Sequence, residues 1–175
     1  EAHLGTAQWG GNVMVTVWTT TQSEFAKRDK LALVVEIPML AMTVIPLGIG
    51  GGFGARGSIY IVAQTVGLSM ETRGTVKIIM YLQEMIRATG PSSGTYIKAR
   101  LGVKTDGTLV AAEFHGAYEA GAYSGGPVAP GVSTALTRYN IPNVKVEGYD
   151  VLVNKPKVKP YRAPGDRKST RLNSS

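Results

Sequence analysis

The sequence predicts an α+β fold, with mixed sheets, strand–helix units early in the chain and an antiparallel hairpin later. Three observations carry this. Residues 12–20, "NVMVTVWTT", alternate in the period of a strand and run into "TQSEF", a helix start. A second strand–loop–helix run follows through a cluster of glycines. Further on, "TYIKARLGVKTDGTLVAAEFHGAY" holds two alternating stretches joined at Asp106-Gly107, the strongest hairpin signal in the chain.

In order, Val13, Val15 and Val17 form one side of the first strand and Met14, Thr16 and Trp18 the other. Thr21 caps the helix that follows, with Glu24 three residues on in capping-box spacing. The helix reaches about Glu36, where Pro38 stops it, and its apolar side carries Phe25, Ala32 and Val35. Ala41–Leu47 is the next strand, placed at an edge or ending early by Pro46. After the glycine loop, "SIYIVAQTVGLSM" is a buried helix, "GTVKIIMY" a strand and "LQEMIRAT" a short helix ended by Gly90 and Pro91. In the hairpin, Ile97, Ala99, Leu101 and Val103 face one way, and the return strand runs from Leu109 to about Tyr118. A glycine- and proline-rich excursion with one short helix leads to a last strand, "VKVEGYDVLVN". No internal repeat is present.

The totals narrow the function classes. A chain of 175 residues, 43% hydrophobic and 18% charged, supports one domain with a real core and holds no run long enough to span a membrane. With no cysteine and only His3 and His115, disulfides, thiolate sites and a zinc site are not expected. The net charge of +7 is concentrated toward the end, where seven basic residues and one acid follow from Lys155 onward. Such a run attracts anions, but no nucleic-acid motif accompanies it and no nucleic-acid partner is expected. The chain opens on Glu1, and residues 166–175 read as a polar tail, disordered or foreign to the fold.

The chemistry points to "VIPLGIGGGFGARGSIY". Gly48, Gly50, Gly51, Gly52 and Gly54 fall within seven residues, between a strand and a helix. Such a loop lets a ligand approach the backbone, and a helix start beyond it offers N–H groups to an anion. Gly50-x-Gly52-x-x-Ala55 matches a dinucleotide fingerprint in form, but the acid expected after the next strand is missing, with Glu71 before that strand and Glu84 after it. The lysine-containing end of a phosphate-binding P-loop is missing too.

Seven motifs in one order carry a more specific likeness: "VWTTTQ" ending at Gln22, "GGGFGAR" at Gly50–Arg56, "TRGTVKIIM" at Thr72–Met80, "DGTLVAAE" at Asp106–Glu113, "YEAGAYSG" at Tyr118–Gly125, "YNIPNV" at Tyr139–Val144 and "NKPKVKPYRAPG" at Asn154–Gly165. Residues 1–165 resemble part of the first molybdopterin-binding domain of the large subunits of the xanthine dehydrogenase, aldehyde oxidase and carbon monoxide dehydrogenase family. The resemblance implies a molybdopterin cofactor, in its cytosine dinucleotide form, with molybdenum held through the pterin and by no protein ligand. It implies oxidative hydroxylation of an aldehyde or N-heterocycle with oxygen from water. Electrons then pass to iron–sulfur clusters and FAD in partner subunits or domains, in a dimer of heterotrimers when complete, in the cytoplasm or the periplasm. It implies that Gln22 hydrogen-bonds an oxygen ligand of molybdenum, and that Gly51, Gly52, Phe53 and Gly54 lie against the cofactor. It implies, too, that Arg162 lines the active site, binds at the cofactor and meets an anionic or carbonyl atom of the substrate. Gln22, Phe53 and Arg162 are thus the expected catalytic residues.

Departures from the family pattern carry expectations of their own. Ala55 replaces a glycine, which requires a negative φ there, and Arg56 replaces a lysine. Gly74 and Thr75 replace a helix-to-strand stop, which predicts a looser corner. Ala163 stands where copper-containing relatives have cysteine, so copper-dependent carbon monoxide oxidation is not expected. The family's general base, a glutamate near the far end of the large subunit, has no counterpart here; the chain is expected to be a fragment, inactive alone. Two competing readings are a Rossmann-like nucleotide-binding oxidoreductase domain and a non-enzymatic basic module binding anions through Lys155–Arg171.

Overall fold

The computed structural model describes residues 2–162. The fold is α+β, and the chain divides into two compact units, the first ending at Thr89 and the second starting at Gly90.

The first unit is a four-stranded sheet with helices. β1 (Leu4–Gly10) and β2 (Met14–Thr20) form an antiparallel hairpin. α1 (Glu24–Val34) crosses over to β3 (Met42–Leu47), which lies parallel to β2 at the sheet edge, as Pro46 requires. α2 (Val62–Thr72) packs on β1 and leads to β4 (Thr75–Ile79), antiparallel to β1, so the strand order is β3-β2-β1-β4. α3 (Leu82–Ala88) follows, its start tied by Glu84 accepting a hydrogen bond from Tyr81 N (2.7 Å). Ala7, Val15, Val17, Leu31, Ile37, Met42, Val62 and Val66 make the core, with Trp9 and Val44 packed against it.

Several expectations change here. β1 is a central strand that the hydrophobic alternation does not single out, because Gly5, Thr6 and Gln8 dilute the pattern. The α1 cap is Ser23, not Thr21, and no capping box forms with Glu24; Thr21 Oγ1 instead accepts from Ser23 N (3.1 Å). The buried stripe of α1 is Lys27, Leu31 and Ala32, while Phe25 is 64% exposed, with Arg28 over its ring. The corner before β4 is fastened rather than loose: Ser69 Oγ donates to Gly74 O (2.6 Å) and accepts from Trp9 N (2.8 Å), and Arg73 takes the left-handed backbone.

The second unit is built on β5 (Thr95–Val103), β6 (Leu109–Gly121) and β7 (Asn143–Leu152), in the order β5-β6-β7. β5 and β6 form the antiparallel hairpin, with Gly107 at positive φ in the turn. The last strand is parallel to β6, made possible by a crossover through α4 (Val128–Thr134). Ala112, Phe114, Tyr118 and Ala120 of β6 are buried. Gly131 of α4 lies against Tyr118, where an added Cβ would stand 2.3 Å from the hydroxyl. The Ile97-to-Val103 side of β5 is not buried: Leu101 and Val103 are more than half exposed.

Candidate functional site

Parallel pairing puts the exits of β2 and β3 at the same end of the sheet, with Thr20 opposite Leu47. The carboxyl ends of parallel strands are where such sheets place their ligands. From one exit comes Gln22, in the connection between β2 and α1; from the other comes the glycine loop.

The two segments interlock. Gln22 Oε1 accepts hydrogen bonds from Gly54 N (3.0 Å) and Arg56 N (3.2 Å). Because both partners are N–H donors, the amide oxygen must face the loop and the Nε2 donor must point away from it. Gln22 is exposed, and Nε2 makes no hydrogen bond among the described residues.

The glycines explain how the side chain fits. A Cβ on Gly52 would stand 2.4 Å from Gln22 Cδ, and one on Gly51 would stand 2.7 Å from the Phe53 ring. So the close approach that removed side chains from this loop is made, at these two positions, by the site's own Gln22 and Phe53. Phe53 and Gly54 then take positive φ in succession (49° and 93°), which turns the chain back toward Gln22. Ala55 stays at negative φ, as its methyl demands, within a short 3-10 turn from Ala55 to Gly57. That turn separates the glycines from α2. The first residue of α2 is Val62, eight positions after Gly54, so the loop does not open directly into a helix N-terminus.

Beneath the loop the groups are cationic and buried. Arg56 is 3% exposed and donates from one guanidinium nitrogen to Ala2 O (3.0 Å) and to His3 Nδ1 (2.9 Å). His3 therefore presents its Nδ1 lone pair, and its ring meets that of Tyr60 in a tilted contact, with centroids 4.6 Å apart and planes at 50°. Lys27 is 2% exposed and donates to Thr20 O (3.1 Å). Burial, and then the Arg56 charge, lower its pKa to about 8.

The structure thus brings Gln22, Gly51, Gly52, Phe53 and Gly54 together in the first unit. Arg162 belongs to the second unit, where it is exposed and holds a positive φ of 28°. Ala163 and the expected tail from Asp166 lie outside the described residues. Among the described residues no cluster of three or more His, Cys, Asp or Glu side chains could hold a metal ion, and no helix is long and apolar enough to cross a membrane.

This geometry has relatives. The family model described as "Molybdopterin cofactor-binding domain" matches residues 1–172. The chain belongs to the molybdopterin cofactor-binding domain family. A curated relative from Bacillus subtilis (strain 168), described as a probable xanthine dehydrogenase subunit, is 27% identical over 158 residues, covering 89% of the chain and 21% of the relative. Among solved structures, quinoline 2-oxidoreductase from Pseudomonas putida 86 matches with a TM-score of 0.87 at 24% identity, over 100% of the chain and 25% of its own. The aldehyde oxidoreductase of Desulfovibrio gigas matches with a TM-score of 0.85 at 22% identity, over 97% and 19%. These structures establish the fold. The chain thus spans about a fifth of the length of its curated relative.

Two anchors of this family member's site are not singled out by sequence. His3 gives no signal beyond being one of two histidines. Lys27 does give one: it stands four residues before Leu31 and eight before Val35, in line with the apolar stripe of α1.

Proposed function

We propose that this chain is the cofactor-holding part of a molybdenum hydroxylase large subunit, which oxidatively hydroxylates an aldehyde or an N-heterocycle. The observation that carries this is the interlock of Gln22 with the loop: the amide oxygen is taken up by Gly54 and Arg56 N–H, which leaves a neutral donor aimed outward. The donor set fits a pterin. It consists of an amide and glycine backbone, with no clustered carboxylates, imidazoles or thiolates among the described residues to ligate a metal directly. When bound, the molybdopterin group supplies the two-electron oxidation and the oxygen transfer.

The residues of this chain have positioning and binding roles in that reading. Gln22 Nε2 donates to an oxygen at the cofactor without adding charge. Gly51 and Gly52 leave room for Phe53 and Gln22 to fold against the loop, Gly54 gives it the left-handed turn, and the loop backbone so shaped would lie against the pterin, with Phe53, 54% exposed, limiting water on one side. Arg162 gives a fixed donor fork to a carbonyl or anionic substrate atom. The cytosine dinucleotide form of the cofactor, iron–sulfur and FAD partners, a dimer of heterotrimers and a cytoplasmic or periplasmic setting belong to the same proposal. So do the limits of the cofactor-binding part at 1–165 and inactivity of the chain alone.

A Rossmann-like reading has less support. β3 and β4 are separated in the sheet by β2 and β1, and the helix after the loop begins eight residues late. A basic anion-binding module has less as well: Lys155 is held by both carboxylate oxygens of Glu119 (2.9 Å each), and Lys157 reaches Ala120 O (3.4 Å).

Elemental analysis of the full-length subunit, made in a host that assembles the cofactor, tests the proposal. Near-stoichiometric molybdenum is expected, with loss in Gly52→Leu, whose side chain expels Gln22. Molybdenum absent from the wild-type subunit would overturn the reading.

A further inference from the structure

Lys27 is a poor choice for stability. It sits in the buried stripe of α1, 2% exposed, where neighbouring positions hold Leu31 and Ala32. It faces no carboxylate among the described residues, and the nearby charge that acts on it is the like charge of Arg56. A buried cation in that setting destabilises the fold, and an apolar side chain of the same length would pack there at lower cost.

What its Nζ does is local. It donates to Thr20 O at 3.1 Å, the last carbonyl of β2 and two residues before Gln22. The same carbonyl accepts a longer hydrogen bond from Thr19 Oγ1 (3.4 Å), and the Thr20 Oγ1 is buried without a partner among the described residues. The neighbours on either side have partners of their own: the closest acceptor of Thr19 Oγ1 is Leu4 O (2.9 Å), and Thr21 Oγ1 accepts from Ser23 N (3.1 Å). The connection is therefore held at Thr20 by the shorter bond from Lys27 (3.1 Å), with Thr19 Oγ1 at 3.4 Å, and at its far end by Gln22 Oε1 on the glycine loop.

We propose that Lys27 is a positioning residue: through Thr20 O it fixes the backbone from which Gln22 reaches the glycine loop. This rests on the reading of Gln22 given under Proposed function. The arrangement trades stability for geometry, as positioning groups at sites commonly do.

Lys27→Met keeps the length and removes the donor; Lys27→Leu is the second variant should the first pack badly. Both are made in the full-length subunit with its partners, beside Gln22→Ala. In cofactor-free protein, exchange of the Gly54 and Arg56 amides should rise about tenfold, with the amides of the β1–β2 ladder unchanged. In the holoenzyme, kcat should fall about tenfold with KM within about twofold, while Tm is unchanged or raised. Loop-amide exchange at the wild-type rate overturns the proposal. So does a fall in Tm with faster exchange throughout the first unit in both variants, which would make Lys27 merely structural. Full turnover in Gln22→Ala defeats the functional reading instead, and the exchange measurement then still decides the role of Lys27.

Discussion

The two units bury their apolar residues in different ways, and only one of them gives a site rigid support. In the first, residues from both hairpin strands, both long helices and β3 close over one core. In the second, the central strand β6 is buried on alternate residues, while β5 and β7 contain no buried residue at all. The lesson is one of support. Gln22, to which the proposed function gives a positioning role, lies beside a closed core, with its oxygen fixed by two backbone donors. The open sheet leaves Leu101, Val103, Val144 and Leu152 exposed, and a substitution there has little to disturb.

The strongest way to break the comparison is to remove core volume in each unit. Leu31→Ala in the first and Phe114→Ala in the second, both fully buried, should each lose about 3–5 kcal/mol of stability by denaturant titration. Leu101→Ala on the outer strand, 58% exposed, should change it by no more than about 0.5 kcal/mol. A loss at Leu101 as large as at Phe114 would show that β5 is not an open strand.

The next effect sets a charge against the closed core. Lys27 has its pKa lowered to about 8 from 10.5, so between these values the unfolded chain binds more protons than the folded one. Stability therefore rises with pH across that window, and the penalty is fully present below it. The shift corresponds to roughly 3 kcal/mol. Lys27→Met should remove that rise and be more stable than wild type at pH 7, as unfolding measured from pH 7 to 10.5 would show. A slope unchanged by the substitution would place the titration elsewhere.

A smaller effect probes the close packing of the second unit. At Gly131 the helix backbone of α4 runs so near Tyr118 that a methyl would meet the ring and its hydroxyl. Gly131→Ala should lose about 1–3 kcal/mol by thermal unfolding, although alanine favours helix. A gain in stability would mean that α4 lifts easily from β6.

Much of this is legible in sequence. Period-two alternation locates β2 and the β5–β6 hairpin, Pro46 places β3 at an edge, and seven ordered motifs lead to the family. The density of glycines marks the loop. What sequence hides is partnership. Nothing in "GGGFG" says that Gly51 and Gly52 are cleared for Phe53 and Gln22. A lysine in a helix reads as solvated, which masks Lys27 although its spacing to Leu31 and Val35 is that of the core. β1 stays hidden because a strand interior to a sheet can be built from Gly, Thr and Gln when its neighbours supply the apolar bulk.

The two hairpin turns sharpen the comparison at the smallest scale. In the second unit, Gly107 takes the left-handed position at φ 86°, and Asp106 Oδ1 accepts from Thr108 N (2.9 Å), which holds the Asp106 carboxyl below its usual pKa. In the first unit, the β1–β2 turn puts two non-glycine residues there, Asn12 at 64° and Val13 at 66°. Asparagine tolerates this conformation, but a β-branched side chain crowds its own carbonyl in it, at a cost of about 1–2 kcal/mol. Part of that strain is offset by the greater freedom glycine has when unfolded. Val13→Gly should therefore stabilise the protein by about 0.5–1 kcal/mol, and Gly107→Val should destabilise it by about 1–2 kcal/mol, both read as shifts in the denaturant midpoint at constant slope. If Val13→Gly weakened the protein instead, this exposed valine would be contributing packing that outweighs the strain, and the first unit's closed core would extend to its turn.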